Sequence, residues 1–304
     1  MIKLIPVRMN RIWNRAIAWV IFTCLLTLDL KGGEPSLTGA SEPQRDRHVE
    51  ARLLSEQTRV APGDAWWVAL ELKHDPTWHT YWINGGDAGV ATSIDWQLPE
   101  GITAGPIRWE VPQIVKMLQL DVYGYEGTCM LLTKLKVHPD AQLPDAFELS
   151  AKVNWMMCAR TCMPGKGVQL KLDMQRSTNP THEPASPWAV RVQKAAQRLP
   201  GDAPKDMFRA SYDAARKAFL LDWKTFPTED EVLEVYYFDT TEQITSNQAQ
   251  VWTQEEDGWR LTLPRASYAP ETFDRLKGVL RWKHVGPGAS YRWLGIDAPI
   301  GSPD

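Results

Sequence analysis

Two of the four cysteines in this 304-residue chain, Cys158 and Cys162, are separated by only three residues in the segment "NWMMCARTCMPG" (154–165). The residues on either side have the pattern of extended strands, so the three intervening residues predict a tight β-hairpin. Opposed Cα atoms in an antiparallel ladder lie about 4.5–5.5 Å apart, which is within the range of a disulfide. The sequence therefore predicts that the two sulfur atoms lie side by side and can form a bond.

A bond across so short a loop is expected to stabilise the fold only weakly. Loop entropy gives about 2 kcal/mol for a five-residue ring, against about 4.7 kcal/mol for a 100-residue loop. Bridging a short hairpin also tends to strain the bond, which raises its reduction potential. Arg160 lies between the two cysteines and can favour a thiolate through its positive charge. These features favour a redox-active cysteine pair over a permanent structural disulfide.

Three other interpretations of the pair remain open. An inert bridge is common in exported proteins. A structural zinc site needs four ligands, and no second cysteine pair or nearby histidine pair accompanies this one. Soft ligands select Cu(I), and the candidate set for such a site is Met156, Cys158, Cys162 and Met163. We expect no cofactor if the pair is redox-active, and Cu(I) is the metal-binding alternative.

Two further residues have side chains that are capable of chemistry, but their patterns favour packing. Cys129 lies on a strand with Leu131 and Leu135 on its face, which is typical of a small buried apolar residue. His79 lies between Trp78 and Tyr81, and neither a serine nor a carboxylate is placed to act with it. We therefore expect a buried or hydrogen-bonded strand histidine.

The first 40 residues have the features of an export signal followed by a polar leader. Basic residues up to Arg15 precede an uncharged run of 13 residues, "AIAWVIFTCLLTL" (16–28). A membrane span needs about 20 residues, so the run matches the apolar region of a signal peptide better. Thr38 and Ala40 give a weak cleavage signal, and the residues before Cys24 make a poor lipid-attachment motif. We predict a periplasmic or otherwise exported protein, with an uncleaved N-terminal anchor as the alternative.

The composition describes a globular protein without an electrostatic surface for nucleic acid. Apolar residues make up 43% and charged residues 23% of the chain, and the net charge is −3. A nucleic-acid-binding domain of this size would be expected to carry an excess of basic residues.

Short runs of alternating polar and apolar residues, separated by turn residues, predict an all-β protein with two tandem β-sandwiches. The first sandwich is predicted over residues 46–175 and the second over 205–304. Residues 176–204 are predicted to be a linker with one short helix, "WAVRVQKAAQRL", which begins after Ser186-Pro187.

Four collinear segments resemble the N-terminal periplasmic domain of the DsbD/ScsB thiol:disulfide interchange proteins, over about residues 48–172. These segments are "WHTYWINGGDAG" (78–89), "SIDWQLPEG" (93–101), "VYGYEG" (122–127) and "VNWMMCARTCMPG" (153–165). The second sandwich resembles, more loosely, the second immunoglobulin-like domain of longer family members. The resemblance implies immunoglobulin-like sandwiches and an electron-transfer module of the protein-disulfide reductase type.

The resemblance also implies roles for particular residues. Cys158 and Cys162 would be the redox pair, with Cys162 slightly favoured as the attacking thiol. Asp121, Val122 and Tyr123 would form a loop that caps the pair and assists proton movement. In the family an aromatic residue often stands at the cap, where this chain has Val122, so the shielding would be weaker.

The partners implied by the family are a membrane-embedded electron donor and periplasmic thioredoxin-fold proteins. These 304 residues carry neither the membrane section nor the C-terminal CxxC domain of the family, so we expect both partners to be separate proteins. The alternative function is a non-catalytic periplasmic adaptor, or a Cu(I)-binding module in cytochrome or metal handling.

Overall fold

The computed structural model describes residues 39–117, 119–177, 185–226, 231–285 and 290–301. The predicted export signal, with Cys24 and Thr38, lies outside the described residues. Ala40 lies inside them and forms an isolated β-bridge with Leu54.

A five-stranded sheet forms one layer of the first sandwich. Its strands, in spatial order, are β1 (Gln44–Asp46), β2 (Val49–Ser55), β4 (Ala65–His74), β10 (Thr128–Val137) and β7 (Ile102–Arg108). Leu53, Leu70 and Leu131 from its three central strands are buried in the core. The sheet is antiparallel throughout.

A four-stranded sheet contributes to the same core. Its strands are β3 (Arg59–Val60), β14 (Val168–Arg176), β11 (Ala146–Asn154) and β6 (Ser93–Gln97). Apolar and polar residues alternate along β11, so that Leu149, Ala151 and Val153 all point into the core.

The third sheet carries the cysteine pair. In spatial order it consists of β13 (Cys162–Pro164), β12 (Met156–Cys158), β5 (His79–Gly86), β9 (Leu120–Glu126) and β8 (Gln113–Met117). All of its pairings are antiparallel, and β13 forms one edge.

One helix, α1 (Ala189–Gln197), packs on the outer face of the five-stranded sheet. Its buried residues Val192 and Ala195 contact a cluster that includes Leu54, Ala69 and Leu132. The helix ends shortly before Pro200, because the residue before a proline is disfavoured in the helical conformation. No helix among the described residues has the length and apolar character needed to cross a bilayer.

The second sandwich is built from seven strands that backbone hydrogen bonds join into one continuous sheet. In spatial order they are β17 (Val232–Asp239), β20 (Arg275–His284), β21 (Tyr291–Gly301), β15 (Phe208–Asp213), β16 (Ala218–Trp223), β19 (Gly258–Pro264) and β18 (Val251–Glu255). Only two parallel pairs, Ala210 with Ile300 and Ser211 with Gly301, connect β15 to β21. The two halves enclose a core that contains Phe219, Leu263 and Leu280.

The fold is therefore all-β, with two tandem sandwiches and one short helix between them. Strands of the first three sheets come from residues 44–176, and those of the last from 208–301. The division into domains at 46–175 and 205–304, with a linker at 176–204, stays a prediction.

Candidate functional site

Cys158 and Cys162 face each other at the end of the hairpin formed by β12 and β13, and they form a disulfide. Their Cα atoms are 4.2 Å apart. The loop between them, residues 159–161, is closed by a hydrogen bond in which the amide of Ala159 donates to the carbonyl of Thr161 at 3.4 Å. The hairpin predicted from the spacing of the two cysteines is confirmed.

The two sulfur-bearing residues differ in exposure. Cys158 is completely buried, since β12 lies between β13 and β5. Cys162 is exposed, because β13 is the edge strand of the sheet. Cys162 is therefore the residue of the pair that another protein can approach at the edge of the sheet.

Two side chains from distant parts of the chain contact the Cys162 sulfur. The hydroxyl of buried Tyr81 lies 3.6 Å from Cys162 Sγ and donates to Met117 Sδ at 3.9 Å, and Met117 Sδ itself lies 3.9 Å from Cys162 Sγ. Burial raises the pKa of Tyr81 to about 12, so its hydroxyl keeps its proton at neutral pH. Tyr81 can therefore stabilise a thiolate at Cys162 by hydrogen bonding.

The strands β8 and β9, which we call the cap hairpin, cover Cys158. Val115 and Met117 of β8 and Val122 of β9 form one buried cluster with Tyr81 and Cys158. The cover is largely aliphatic, and it leaves Cys158 with no exposed surface.

The side chains of the three residues proposed for the cap point in different directions. Val122 lies over Cys158. Asp121 binds Lys116, with 2.6 Å between Oδ2 and Nζ. Tyr123 points to the opposite face, where its hydroxyl lies 3.0 Å from that of Tyr236. Of the three, the structure brings only Val122 to the cysteines, and Tyr81 and Met117 are the contacts that the sequence did not reveal.

The glycine-rich turn "NGGDAG" holds Tyr81 in place. Gly89 has φ +111°, and a Cβ there would lie 2.2 Å from Tyr81 Cδ1, so only glycine fits. Asp87 in the same turn accepts a hydrogen bond at 3.1 Å from the amide of Asp121. The turn thus connects the Tyr81 ring to the cap hairpin.

His79 is the cross-strand neighbour of Cys158 and is buried, as expected from the sequence. Its ring meets that of Tyr81 edge-on, with the ring centroids 5.1 Å apart. Burial, with a smaller contribution from His74, lowers the pKa of His79 to about 4. Its Nε2 has no hydrogen-bond partner among the described residues. His79 is therefore a neutral packing residue next to the disulfide at neutral pH.

The remaining candidates occupy separate positions. Arg160 is exposed in the loop between the cysteines. Met156 packs with the Cys158 cluster, whereas Met163 packs against the main core on the other face, so the proposed Cu(I) set is not brought together.

Cys129 is buried with a free thiol whose pKa is raised by burial, as expected for a packing residue. The described residues contain no group of three or more His, Cys, Asp and Glu side chains arranged to hold a metal ion.

Several known proteins share features with this chain. Residues 50–174 match the family model for the N-terminal part of the thiol:disulfide interchange protein DsbD. The crystal structure of the N-terminal periplasmic domain of ScsB from Proteus mirabilis aligns with a TM-score of 0.60 at 16% identity, covering 87% of this chain and 100% of that one. No curated protein gives a significant match.

Two periplasmic chaperones align much less well. SfaE has a TM-score of 0.23 at 9% identity, and CupB2 of Pseudomonas aeruginosa has 0.21 at 12%. Each alignment covers 82% of this chain and 100% of the chaperone. Neither likeness bears on the fold. The family-model match identifies residues 50–174, the first sandwich, as similar to the N-terminal domain of the thiol:disulfide interchange protein DsbD, and the ScsB alignment shows that the fold is shared.

Proposed function

We propose that this protein is an exported thiol:disulfide interchange module that passes reducing equivalents through Cys158 and Cys162 to periplasmic partners. The observation that carries the proposal is the unequal exposure of one disulfide: Cys162 is open on an edge strand and Cys158 is buried behind it. An attacking thiol needs access, whereas a resolving thiol needs only its neighbour.

The exchange follows from this asymmetry. In the reduced protein the Cys162 thiolate attacks a disulfide of the partner and forms a mixed disulfide, which releases one partner thiolate. The Cys158 thiolate then attacks Cys162 Sγ and releases the second partner thiolate. Two electrons and the two protons of the Cys158 and Cys162 thiols pass to the partner, and the Cys158–Cys162 bond is restored.

Two side chains support the thiolate at Cys162. The positive charge of Arg160, in the loop between the cysteines, favours the anionic form of sulfur. The Tyr81 hydroxyl lies 3.6 Å from Cys162 Sγ and can donate a hydrogen bond to that sulfur when it is a thiolate. His79 contributes no charge at neutral pH, because its pKa is lowered to about 4. The stabilisation thus acts mainly on the exposed cysteine.

The partners proposed are a membrane-embedded electron donor and a thioredoxin-fold acceptor, which the resemblance of the first sandwich to the DsbD/ScsB proteins implies. The predicted signal sequence and the periplasmic location of the ScsB domain support export. The open edge at β13 supports docking of another protein at Cys162.

A redox titration tests whether the bond turns over. We expect the Cys158–Cys162 bond to equilibrate with glutathione and to show a reduction potential above about −300 mV, because structural disulfides usually lie below that value. The oxidised fraction is measured by mass spectrometry after alkylation, in the Cys129→Ala background so that only this pair reports. A bond that stays oxidised throughout the glutathione range is a static bridge and excludes the proposal.

A second candidate function is Cu(I) binding by the reduced pair. It is favoured by one contact, the 3.9 Å between Met117 Sδ and Cys162 Sγ, which adds a thioether to the two thiols. We expect Met117→Leu to weaken Cu(I) binding by at least about tenfold, measured by competition with a chromogenic chelator. Met163→Leu is the matched control, because Met163 packs on the opposite face. Equal affinities in the two variants exclude a site at Met117.

A further inference from the structure

The sheet that carries the disulfide has two faces with different neighbours. On β5, Tyr81 points to the cysteines and the next residue, Trp82, points to the main core. On β9, Val122 likewise points to the cysteines and Tyr123 points to the main core. Because side chains alternate along a strand, whatever fixes Trp82 and Tyr123 also fixes the residues that cover the disulfide.

Aromatic residues of the second sandwich pack on the rear face of this sheet. The ring centroid of Phe238 is 5.1 Å from that of Tyr123 and 6.1 Å from that of Trp82. The hydroxyl of Tyr236 lies 3.0 Å from that of Tyr123. Tyr236 and Phe238 alternate on β17, so both reach the same surface. The main core of the first sandwich thus continues into the second, since Phe238 and Val279 belong to it.

The turn that holds Tyr81 is attached to the second sandwich as well. Asn84 is buried and donates from Nδ2 to the carbonyl oxygen of Asp239 at 2.8 Å. Tyr268 donates from its hydroxyl to the carbonyl of Gly86 at 3.5 Å. A Cβ on Gly86 would lie only 2.9 Å from the carbonyl oxygen of Asp121 and 3.0 Å from Ser246 Oγ. The turn therefore lies tightly between the cap hairpin and the second sandwich.

The Asp239 carbonyl, which accepts the hydrogen bond from Asn84, belongs to a segment whose conformation is fixed by further hydrogen bonds. The carboxylate of Asp239 is buried and accepts hydrogen bonds from the amides of Gln243 and Ile244 at 2.6 and 3.2 Å. The Thr241 hydroxyl donates to its other oxygen at 2.8 Å. These bonds hold residues 239–244 in one conformation, so the second sandwich presents a rigid surface to the first.

We propose that the second sandwich is a support that keeps the cap hairpin closed over Cys158, with Tyr236 and Phe238 as positioning residues for the exchange. The proposal rests on the proposed thiol exchange for its biological meaning. Its physical basis is that β8 is an edge strand, whose one partner among the described strands is β9. A hairpin with so few neighbours opens locally at a low free energy unless other packing holds it.

The test compares two phenylalanines of the second sandwich that are both fully buried. Phe238→Leu removes packing at the cap hairpin, and Phe219→Leu removes similar packing inside the second core. In the Cys129→Ala, Cys162→Ala background, where the covered Cys158 is the one remaining thiol of the pair, we expect Phe238→Leu to speed alkylation of Cys158 by iodoacetamide about fivefold and Phe219→Leu to leave the rate within about twofold of the parent. Hydrogen exchange in residues 113–126 should rise in Phe238→Leu alone.

Equal rates of Cys158 alkylation in the two variants overturn the proposal. If Phe238→Leu does not fold, Tyr236→Leu gives the same comparison at a half-buried position, with the same two outcomes. The readout needs no protein partner. A failure here is therefore distinguishable from a failure of the proposed function, which would appear as a disulfide that small thiols open but that no thioredoxin-fold protein exchanges with.

Discussion

Replacement of Cys158 by alanine is expected to turn the protein into a trap for its partner, whereas replacement of Cys162 abolishes the reaction. Cys162 is exposed and can form the mixed disulfide alone, but the thiol that resolves it is then missing. The mixed disulfide should persist at least about 100-fold longer than with the parent protein. In Cys162→Ala the remaining thiol is completely buried under the cap hairpin, so no mixed disulfide forms.

The measurement uses a purified periplasmic thioredoxin-fold disulfide protein, non-reducing electrophoresis and mass spectrometry of the linked peptide. Cys129→Ala is the matched control and should exchange as the parent does, since Cys129 is buried and unpaired. Trapping by Cys162→Ala instead of Cys158→Ala would reverse the assigned roles. Parent-like exchange by both single variants would rule out this pair as the reacting group.

The local geometry of the site could be predicted from the sequence because it depends on neighbours in the chain. Three residues between two strands leave few loop conformations, and these place Cys158 opposite Cys162. The alternating residues of β11 likewise determine which side chains enter the core. Neither inference requires knowledge of distant contacts.

The cover of the disulfide could not be predicted in the same way. Tyr81 and Met117 reach Cys162 only after β5, β9 and β8 have paired in one particular register. A shift of one residue in a strand exchanges its two faces, so sequence alone did not show which of Val122 and Tyr123 faces the sulfur. The structure resolves this choice in favour of Val122, and Tyr123 packs against the second sandwich instead.

The packing of the second sandwich against the first also could not be predicted from local sequence patterns. The sequence predicted two domains with a linker between them, and nothing in β17 distinguished Phe238 from any other alternating core residue. In the structure Phe238 belongs to the core of the first sandwich, while its neighbour Tyr237 belongs to that of the second. Successive residues on this one strand therefore pack into two different cores.

The buried position of His79 gives the second large prediction, a loss of stability in acid. In the folded protein the pKa of His79 is lowered to about 4, against about 6.5 for an unfolded histidine. Between these values the unfolded state binds a proton that the folded state does not. The free energy of unfolding therefore falls as the pH drops from about 6.5 to about 4, by up to about 3 kcal/mol from this residue.

The His79→Phe variant isolates this contribution, because phenylalanine keeps a ring against Tyr81 and cannot titrate. We expect its loss of stability between pH 7 and pH 4, measured by urea unfolding, to be about 2–3 kcal/mol smaller than that of the parent. His74, whose pKa is also lowered by burial, stays in both proteins and cancels in the comparison. A parent-like pH dependence in His79→Phe would mean that His79 accepts a proton in the folded state, and a cation would then lie beside Cys158 and favour its thiolate over that of Cys162.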